Sequence, residues 1–474
     1  MSLIKEGFGC SDEDLFEKCE FDLLVRKALS LLSLSDETPS LDTYYLLRRR
    51  ICQYELETGV NLMEKCFAQL TSDQLSRFKI FCKSVRMDSK LIGSNIAWYS
   101  RFEIIHNTFR HFLKGLGESR HTLLNPKLGK LVEAFEREDA QKMVYRLNSE
   151  SIETQLSSLG LLIYQVLKRL NEKTIGYALL YRVFHEQYEV VKGAAIPRPK
   201  EEISAQSVQN PNDPDAPYRK KGDRKIKGYS VNITETCNDK DDQDGKPNLI
   251  VDVQVKPVSA ADNDYVQDAV THIQNNVTDD KIEKLYADGA YQSPDNRRFA
   301  DTNHIELVIT GLQGRQSVYD LEMEDGNLIV TNLDTREILP AHQTGHKWRI
   351  TTNGKSKYKY FIVQQIENSA LKRKLASIPI EEQMKRNNVE ATMFQYCFHS
   401  RNNKTRYRGL LKHKLYSYAR CLWMNHVRLM IYLIIICQGT TQSGSKANLR
   451  YLNDSIMEVL LFLVNFIRLI LVGQ

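Results

Sequence analysis

This chain has few of the features that mark a secreted, metal-stapled or membrane-spanning protein. Its nine cysteines (Cys10, Cys19, Cys52, Cys66, Cys82, Cys237, Cys397, Cys421 and Cys437) include no C-x-x-C pair and no His-Cys grouping at zinc spacing, which argues against a structural zinc module and a disulfide framework. The opening stretch MSLIKEGFGCSDEDLFEKCEF lacks the apolar run of a signal peptide, so the thiols are expected to be reduced and the protein cytoplasmic. None of the eleven histidines falls at a metal or catalytic spacing, and Ser/His/Asp or Cys/His nucleophilic schemes have no support. There is no internal repeat. No sign of charge dominates either: Lys+Arg 65 against Asp+Glu 59 leaves +6, so partners must be read from where the charges cluster. Two apolar runs lie near the C-terminal end, MIYLIIIC (430–437) and IMEVLLFLVNFIRLILV (456–472). The first is too short to span a bilayer and the second is interrupted by Glu458, Asn465 and Arg468, so both are expected to be buried or partner-facing helices.

The remaining 474-residue composition, 42% hydrophobic and 26% charged, is that of a globular chain with a sizeable core. Residues 11 to 80 read as helices, with capping-box spacing at Ser11/Asp14 and Thr71/Gln74. The segment FKIFCKSVRMDSKLIG (78–93) alternates like a short strand ending in the carboxylate of Asp88. Helical periodicity fills Trp98 to about Val191, and residues 194–225 read as an exposed linker whose end, YRKKGDRKIKGY, is densely basic. Two β-type runs follow, KGYSVNITET and PNLIVDVQVKPVS, then a helix, the strand KIEKLYADGAY, a short helix and the strand IELVIT. That order is mixed α/β. From 316 to 366 the pattern is all-β with Asp-Gly and Asn-Gly hairpin signals; helix resumes at IPIEEQMKRNNVEATMFQY.

Asp288, in LYADGAYQSP, reads either as a turn aspartate or as a carboxylate held at a strand end. Metal-dependent cutting of phosphodiesters uses acidic oxygens around two Mg2+ ions about 4 Å apart, and three carboxylates suffice. In a ribonuclease-H-like sheet the first strand lies beside the fourth with a β-hairpin between them in sequence, and a later helix lends a third acid. Asp288 fits the fourth strand and Asp88 the first, with Asp252 in LIVDVQV as a rival on the hairpin. For the third acid the helix offers Glu381, Glu382 and Glu390; Glu390 shares a face with Arg386 and Phe394, whereas Glu381 and Glu382 sit in the first turn, where acids complement the helix dipole.

Four segments in this order, MDSKLIGSNIA, DPDAPYRKKGDRKIKGYSVNITET, YADGAYQSPDNRRFADTNHIELVITGLQGR and RNNVEATMFQYCFHSRNNKTRYRGLLKH, resemble the DDE transposases of bacterial insertion sequences, in the group with a β-strand insertion before the catalytic glutamate. The likeness covers most of residues 11 to 437. It implies Asp88, Asp288 and Glu390 as catalytic metal ligands for Mg2+, with Mn2+ as a substitute, water attack on DNA at element ends, and strand transfer by the freed 3′-hydroxyl. Arg386 matches the arginine of the family's glutamate signature and would hold phosphate. The signature's tyrosine and lysine positions carry Gln383 and Cys397, with Lys404 or Arg406 as substitutes for the lysine. The alternatives are a truncated remnant that only binds DNA, or a plain metal-dependent nuclease.

The implied fold is α/β: a ribonuclease-H-like mixed sheet flanked by helices, with a helical insertion, a β-rich insertion, and helical N- and C-terminal regions. The division is 1–77 helical region for DNA-end binding or dimerisation, 78–96 first core strand, 97–200 helical insertion and linker, 201–315 core continued, 316–370 β-rich insertion, 371–415 glutamate helix and basic stretch, and 416–474 C-terminal helices. DNA contacts are expected from Arg219, Lys220, Lys221, Arg224 and Lys225, and from Lys404, Arg406 and Arg408 beside the glutamate helix, since neutralised phosphates release counterions. Trp348 has two readings: strand core packing, or stacking on a flipped base. Synapsis of two terminal inverted repeats with target DNA implies a homodimer at the nucleoid, without membrane contact.

Overall fold

The strand Ser84–Gly93 (β1) alternates Val85 and Met87 on one face with Arg86 and Asp88 on the other, and every other core element is arranged around it. In the computed structural model, which describes residues 1–441 except 118–122, 138, 147–148, 171, 238–244, 312–316 and 353–356, the later strands are Tyr188–Val191 (β2), Ala194–Pro197 (β3), Tyr218–Lys221 (β4), Arg224–Thr236 (β5), Ile250–Pro257 (β6), Lys284–Ala287 (β7), Glu306–Ile309 (β8), Tyr319–Glu324 (β9), Asn327–Asn332 (β10), Ile338–Thr344 (β11), Lys347–Thr352 (β12) and Lys357–Ile362 (β13). The main sheet runs β6-β5-β1-β7-β8, with β4 hairpinned onto the first residues of β5. β1 pairs antiparallel with β5 and parallel with β7, and β7 is parallel to β8, so the molecule is mixed α/β.

The strand that carries Asp88 is longer than its pattern suggests. It begins at Ser84 and continues past Asp88 to Gly93, because β5 accompanies it as far as the Gly93–Gly228 pair, whereas its pairing with β7 covers only Ser84 to Arg86. Asp88 therefore sits inside β1, at the level where β7 stops.

Helices cover both faces. On the Val85/Met87 side, Val266, Ala269, Val270 and Ile273 of the helix Val266–Asn276 close one core. On the other side, Val231, Ile233 and Val253 pack under Met393 and Tyr396 of the helix Asn388–Cys397 and under Tyr418, Cys421 and Leu422 of the helix Leu410–Thr441. Asn425 docks this long helix on β6: its Oδ1 accepts from Ile250 N–H at 2.7 Å and its Nδ2 donates to Ile250 C=O at 2.8 Å. Among the described residues, this is the one helix long and apolar enough to cross a membrane by length and composition. It packs against β6, Leu62–Phe78 and Ser2–Phe8, while Ile431 and Ile434 to Ile436 remain exposed. The apolar run 456–472 lies outside the described residues.

The N-terminal region is helical as expected, and Ser11 and Asp14 form the anticipated capping box. Thr71, however, is fully buried in the middle of Leu62–Phe78, whose N-cap is Asn61; an apolar neighbourhood there overrode the cap spacing. The helical insertion has its own core of Ile105, Phe109, Phe112, Val183 and Phe184. It ends at Gln187 in the β2–β3 hairpin, so helix does not continue to Val191. Nor is 194–225 an exposed linker throughout. Asp213 is fully buried, accepting from Tyr229 Oη at 2.6 Å, from Gly409 N–H at 2.8 Å and from the Ser94 hydroxyl, so its polar composition serves internal bonds.

The β-rich insertion is a five-stranded antiparallel sheet, β13-β12-β11-β10-β9, capped by the helix Val363–Ser377. Asp325 and Gly326 both adopt positive φ at the β9–β10 turn, as its Asp-Gly pair suggests; the Asn-Gly pair at 353–354 lies outside the described residues. Helix begins at Val363, well before Ile378. Trp348 is 8% exposed and packs with Leu328, Val330 and Phe361, so the core-packing reading describes its position. Trp348→Ala should lower stability by roughly 3–5 kcal/mol, the usual cost of emptying a large aromatic site. A denaturant midpoint unchanged from wild type would contradict this packing role.

Candidate active site

Glu235 is the acid that no sequence motif singled out, and it organises the region. It is fully buried at a register shift between Thr234 and Glu235 in the β5–β6 pairing, where a bulge re-aims a side chain. Arg86 of β1 reaches it with Nε and Nη2, both at 2.7 Å. Arg428 of Leu410–Thr441 donates to its Oε2 at 2.8 Å, and Thr392 Oγ1 of Asn388–Cys397 does so at 2.7 Å. Arg428 also contacts Thr392 at 2.5 Å, and Arg86 Nη1 donates to Lys385 C=O at 2.9 Å. Two strands and two helices are thereby tied to one carboxylate. A charge in the Arg86 position of a strand looks like an ordinary exposed residue in sequence; only the pairing of Arg86 with Glu235 across β1 and β5 reveals it.

The parallel register of β1 and β7 pairs Val85 with Leu285 and Arg86 with Tyr286. The pairing ends there; Asp88 follows Arg86 by two residues in β1, Asp288 lies just beyond the end of β7, and the charge of Asp288 reaches Asp88. Asp288 has extended backbone and its Oδ1 accepts from Ala290 N–H at 2.6 Å, capping the turn Gly289–Tyr291. The residue thus closes a turn at the end of β7.

Burial pushes the Asp88 carboxyl up to about 6; Arg386 and the Ser89 N–H pull against this, and the nearby charges of Asp288 and Glu390 add to it. All four side chains therefore share one electrostatic site. Glu390 is 62% exposed and leans on Arg386, Nη2 to Oε1 at 3.4 Å. Phe394 is also exposed, so the face carrying Glu390 looks to solvent along the sheet edge instead of packing on the sheet; Val389, Thr392 and Met393 are the buried face. As placed, no group of three or more His, Cys, Asp or Glu is gathered tightly enough to hold a metal ion among the described residues. Arg386 Nε is buried with no hydrogen-bond acceptor among the described residues, an unpartnered donor next to the acids.

Asp252 is separated from this site by the sheet. It pairs with Thr234, and its side chain lies 2.8 Å from His272 Nδ1 of the helix on the Met87 face. Glu382 accepts from Tyr286 Oη at 2.5 Å and from Lys385 Nζ at 2.6 Å. Gln383 Nε2 donates to Ile378 C=O at 3.0 Å, and Cys397 is buried.

The basic residues divide into two sets. Arg219 donates to the carbonyls of Val258 and Ala260, Lys404 to Ile96, Arg406 to Gly9 and Cys10, and Arg408 to Asn95, so their donors hold loops together. Lys220, Lys221, Arg224 and Lys225 stand exposed on the β4–β5 hairpin. Compared with family models, curated proteins and solved structures, the chain matches none.

Two outcomes follow. Glu235→Ala should cost roughly 3–5 kcal/mol in chemical denaturation, because it strands the buried guanidinium of Arg86 and removes a partner of the half-buried Arg428; a loss under 1 kcal/mol would show that the tie is not structural. For Asp88, the folded-state value lies above the unfolded one, so the fold favours the protonated form and stability falls as pH rises from about 4 through about 6. Asp88→Asn should therefore raise the unfolding midpoint in EDTA at pH 8, by up to ~3 kcal/mol, and leave it nearly unchanged at pH 4. Equal effects at both pH values would refute a buried, raised carboxyl.

Proposed function

We propose that this protein is a DNA transposase of the DDE type, with a ribonuclease-H-like catalytic core that cuts and joins DNA at insertion-sequence ends. The observation that carries the reading is that Asp88 and Asp288 each lie two residues beyond the last pair of two parallel strands, with Asp288 and Glu390 both near enough to act on the charge of Asp88. The sheet order β6-β5-β1-β7-β8, antiparallel on one side of β1 and parallel on the other, agrees with it.

The donor set suits Mg2+ in kind: three carboxylates supply hard oxygen ligands, and a cation would offset both the burial that chiefly raises Asp88 and the smaller repulsion from Asp288 and Glu390. Asp88 and Asp288 would hold the metal together, and Glu390 would join by exchanging its contact with Arg386. Bound Mg2+, or Mn2+ in its place, supplies Lewis acidity at the phosphodiester and lowers the pKa of the attacking water. Arg386, freed from Glu390 and carrying an unpartnered Nε, is the residue to grip a phosphate oxygen. The exposed cations of the β4–β5 hairpin extend that grip along the backbone. Pairing of two element ends would require a homodimer, and the site of action would be the nucleoid in the cytoplasm.

Gln383 and Cys397 favour a second reading, a remnant that binds element ends without cutting. Gln383 closes a loop and Cys397 is buried, so neither supplies the phenol or ammonium that the transposase signature has at those positions. A metal-dependent nuclease without strand transfer is the third. Incubation with supercoiled and linear DNA in Mg2+ separates them: nicking and joined products should both occur, and Asp88→Ala, Asp288→Ala and Glu390→Ala should each reduce nicking by at least roughly 100-fold with DNA binding retained. Nicking without joining would leave the nuclease, binding without nicking the remnant, and nicking that survives all three substitutions would sink the site.

A further inference from the structure

The β4–β5 hairpin carries an electrostatic conflict. Its register sets Lys220 opposite Lys225 and Lys221 opposite Arg224, like charges directly across a strand pair, which destabilise it unless an anion lies over them. Alternation then places Tyr218, Lys220, Lys225 and Lys227 on one face of the hairpin. Trp98, from the loop that follows β1, lies against that face: its ring meets Tyr218 edge-on at 6.4 Å, and Lys227 Nζ sits 4.7 Å from its centroid. Lys227 is buried, but Trp98 itself is 54% exposed. Trp98, Arg224, Lys225 and Lys227 line, with Asn402 and Asn403, a groove of about 470 Å3.

An exposed indole held by a lysine below and flanked by unneutralised cations has the composition of a strand-binding channel, in which bases stack on aromatics and phosphates meet basic side chains. We propose that this groove binds a single-stranded segment of DNA, with Trp98 as the stacking platform and Arg224 and Lys225, which line it, on the phosphates. Resting on the transposase reading, it places an unpaired stretch of the element end roughly 17 Å from Asp88, the five-residue length of β1 between Asp88 and Gly93. It also moves the base-stacking role from Trp348, which is in a core, to Trp98.

The chain has three tryptophans, Trp98, Trp348 and Trp423, of which Trp348 is buried and Trp423 half-buried beside Phe8, so intrinsic fluorescence reports on Trp98. Titration with a mixed-sequence single-stranded DNA of about 20 nucleotides should quench the emission saturably. The same sequence as a blunt duplex should quench less, since its bases are already stacked. Trp98→Ala should abolish the quenching and weaken single-strand binding roughly 10-fold, Trp98→Phe should restore most of the affinity, and Lys225→Ala should flatten the salt dependence by about 0.7 in log–log slope. Because Trp98 is largely exposed, the unfolding midpoint of Trp98→Ala should match wild type. Wild-type affinity in Trp98→Ala, or equal quenching by the duplex, overturns the inference. A protein that binds the strand through Trp98 yet nicks nothing would refute the enzyme reading and leave this one standing; one that nicks while Trp98→Ala binds normally would do the reverse.

Discussion

A single desolvated carboxylate holds this architecture together. Glu235 has no contact with water, and an ion in that position is tolerable only when its oxygens are fully engaged by opposite charges and hydrogen-bond donors. Arg86, Arg428 and Thr392 meet that requirement, and in doing so each brings a different element with it: β1, the long C-terminal helix and the helix of Glu390. Hydrophobic burial beneath those helices sets how closely they pack, but it is not directional. The ion cluster adds direction, because three donors can satisfy one carboxylate only in one relative placement of their backbones. The azimuth of Glu390 about the sheet edge follows from that placement.

The aspartates depend on a different constraint. Parallel pairing of β1 with β7 runs both chains in the same direction, so Asp88 and Asp288, each two residues past the last pair, leave the paired segment at the same end. Antiparallel pairing on the other flank lets β1 run on to Gly93 while β7 has already turned at Gly289. The result is a carboxylate inside a strand and another at a strand end, both half-buried, with Asp88 raised chiefly by its burial and further by the charges of Asp288 and Glu390. Such local frustration is common where charge is collected for use. Asp252 shows the contrast: one position out of phase, it faces the opposite helix layer and is matched by His272.

Arginines and lysines near the site do two jobs that composition cannot separate. Those bonded to carbonyls at Ile96, Gly9, Asn95 and Val258 substitute for regular secondary structure in the loops around the strand ends. Those on the β4–β5 hairpin face outward in mutually repelling pairs. Basic density alone marks both as nucleic-acid contacts, and only burial and bonding tell the structural set from the available one.

Much of the order of elements was legible in the residues. Ser11 with Asp14 is a local cap, Asp325-Gly326 a local turn, and the alternation in KGYSVNITET and LIVDVQV a local strand signal, so each could be read without knowing the rest. The strand order of a ribonuclease-H-like sheet favours Asp88 over Asp252, but the place of Asp88 inside β1, not at its end, was not legible, because β5 pairs with β1 as far as Gly93. What lay beyond reach was whatever depends on a distant partner. Thr71 has cap spacing but was claimed by a buried helix interior, and the polar stretch around Asp213 was internalised because Tyr229, Ser94 and Gly409 converge on one carboxylate. The face that Glu390 shares with Phe394 is exposed, since Thr392 on the other side of that helix is held by Glu235. Local propensity is encoded within a few residues, whereas the partner that neutralises a buried charge lies a hundred or more residues away and is chosen by the packing itself.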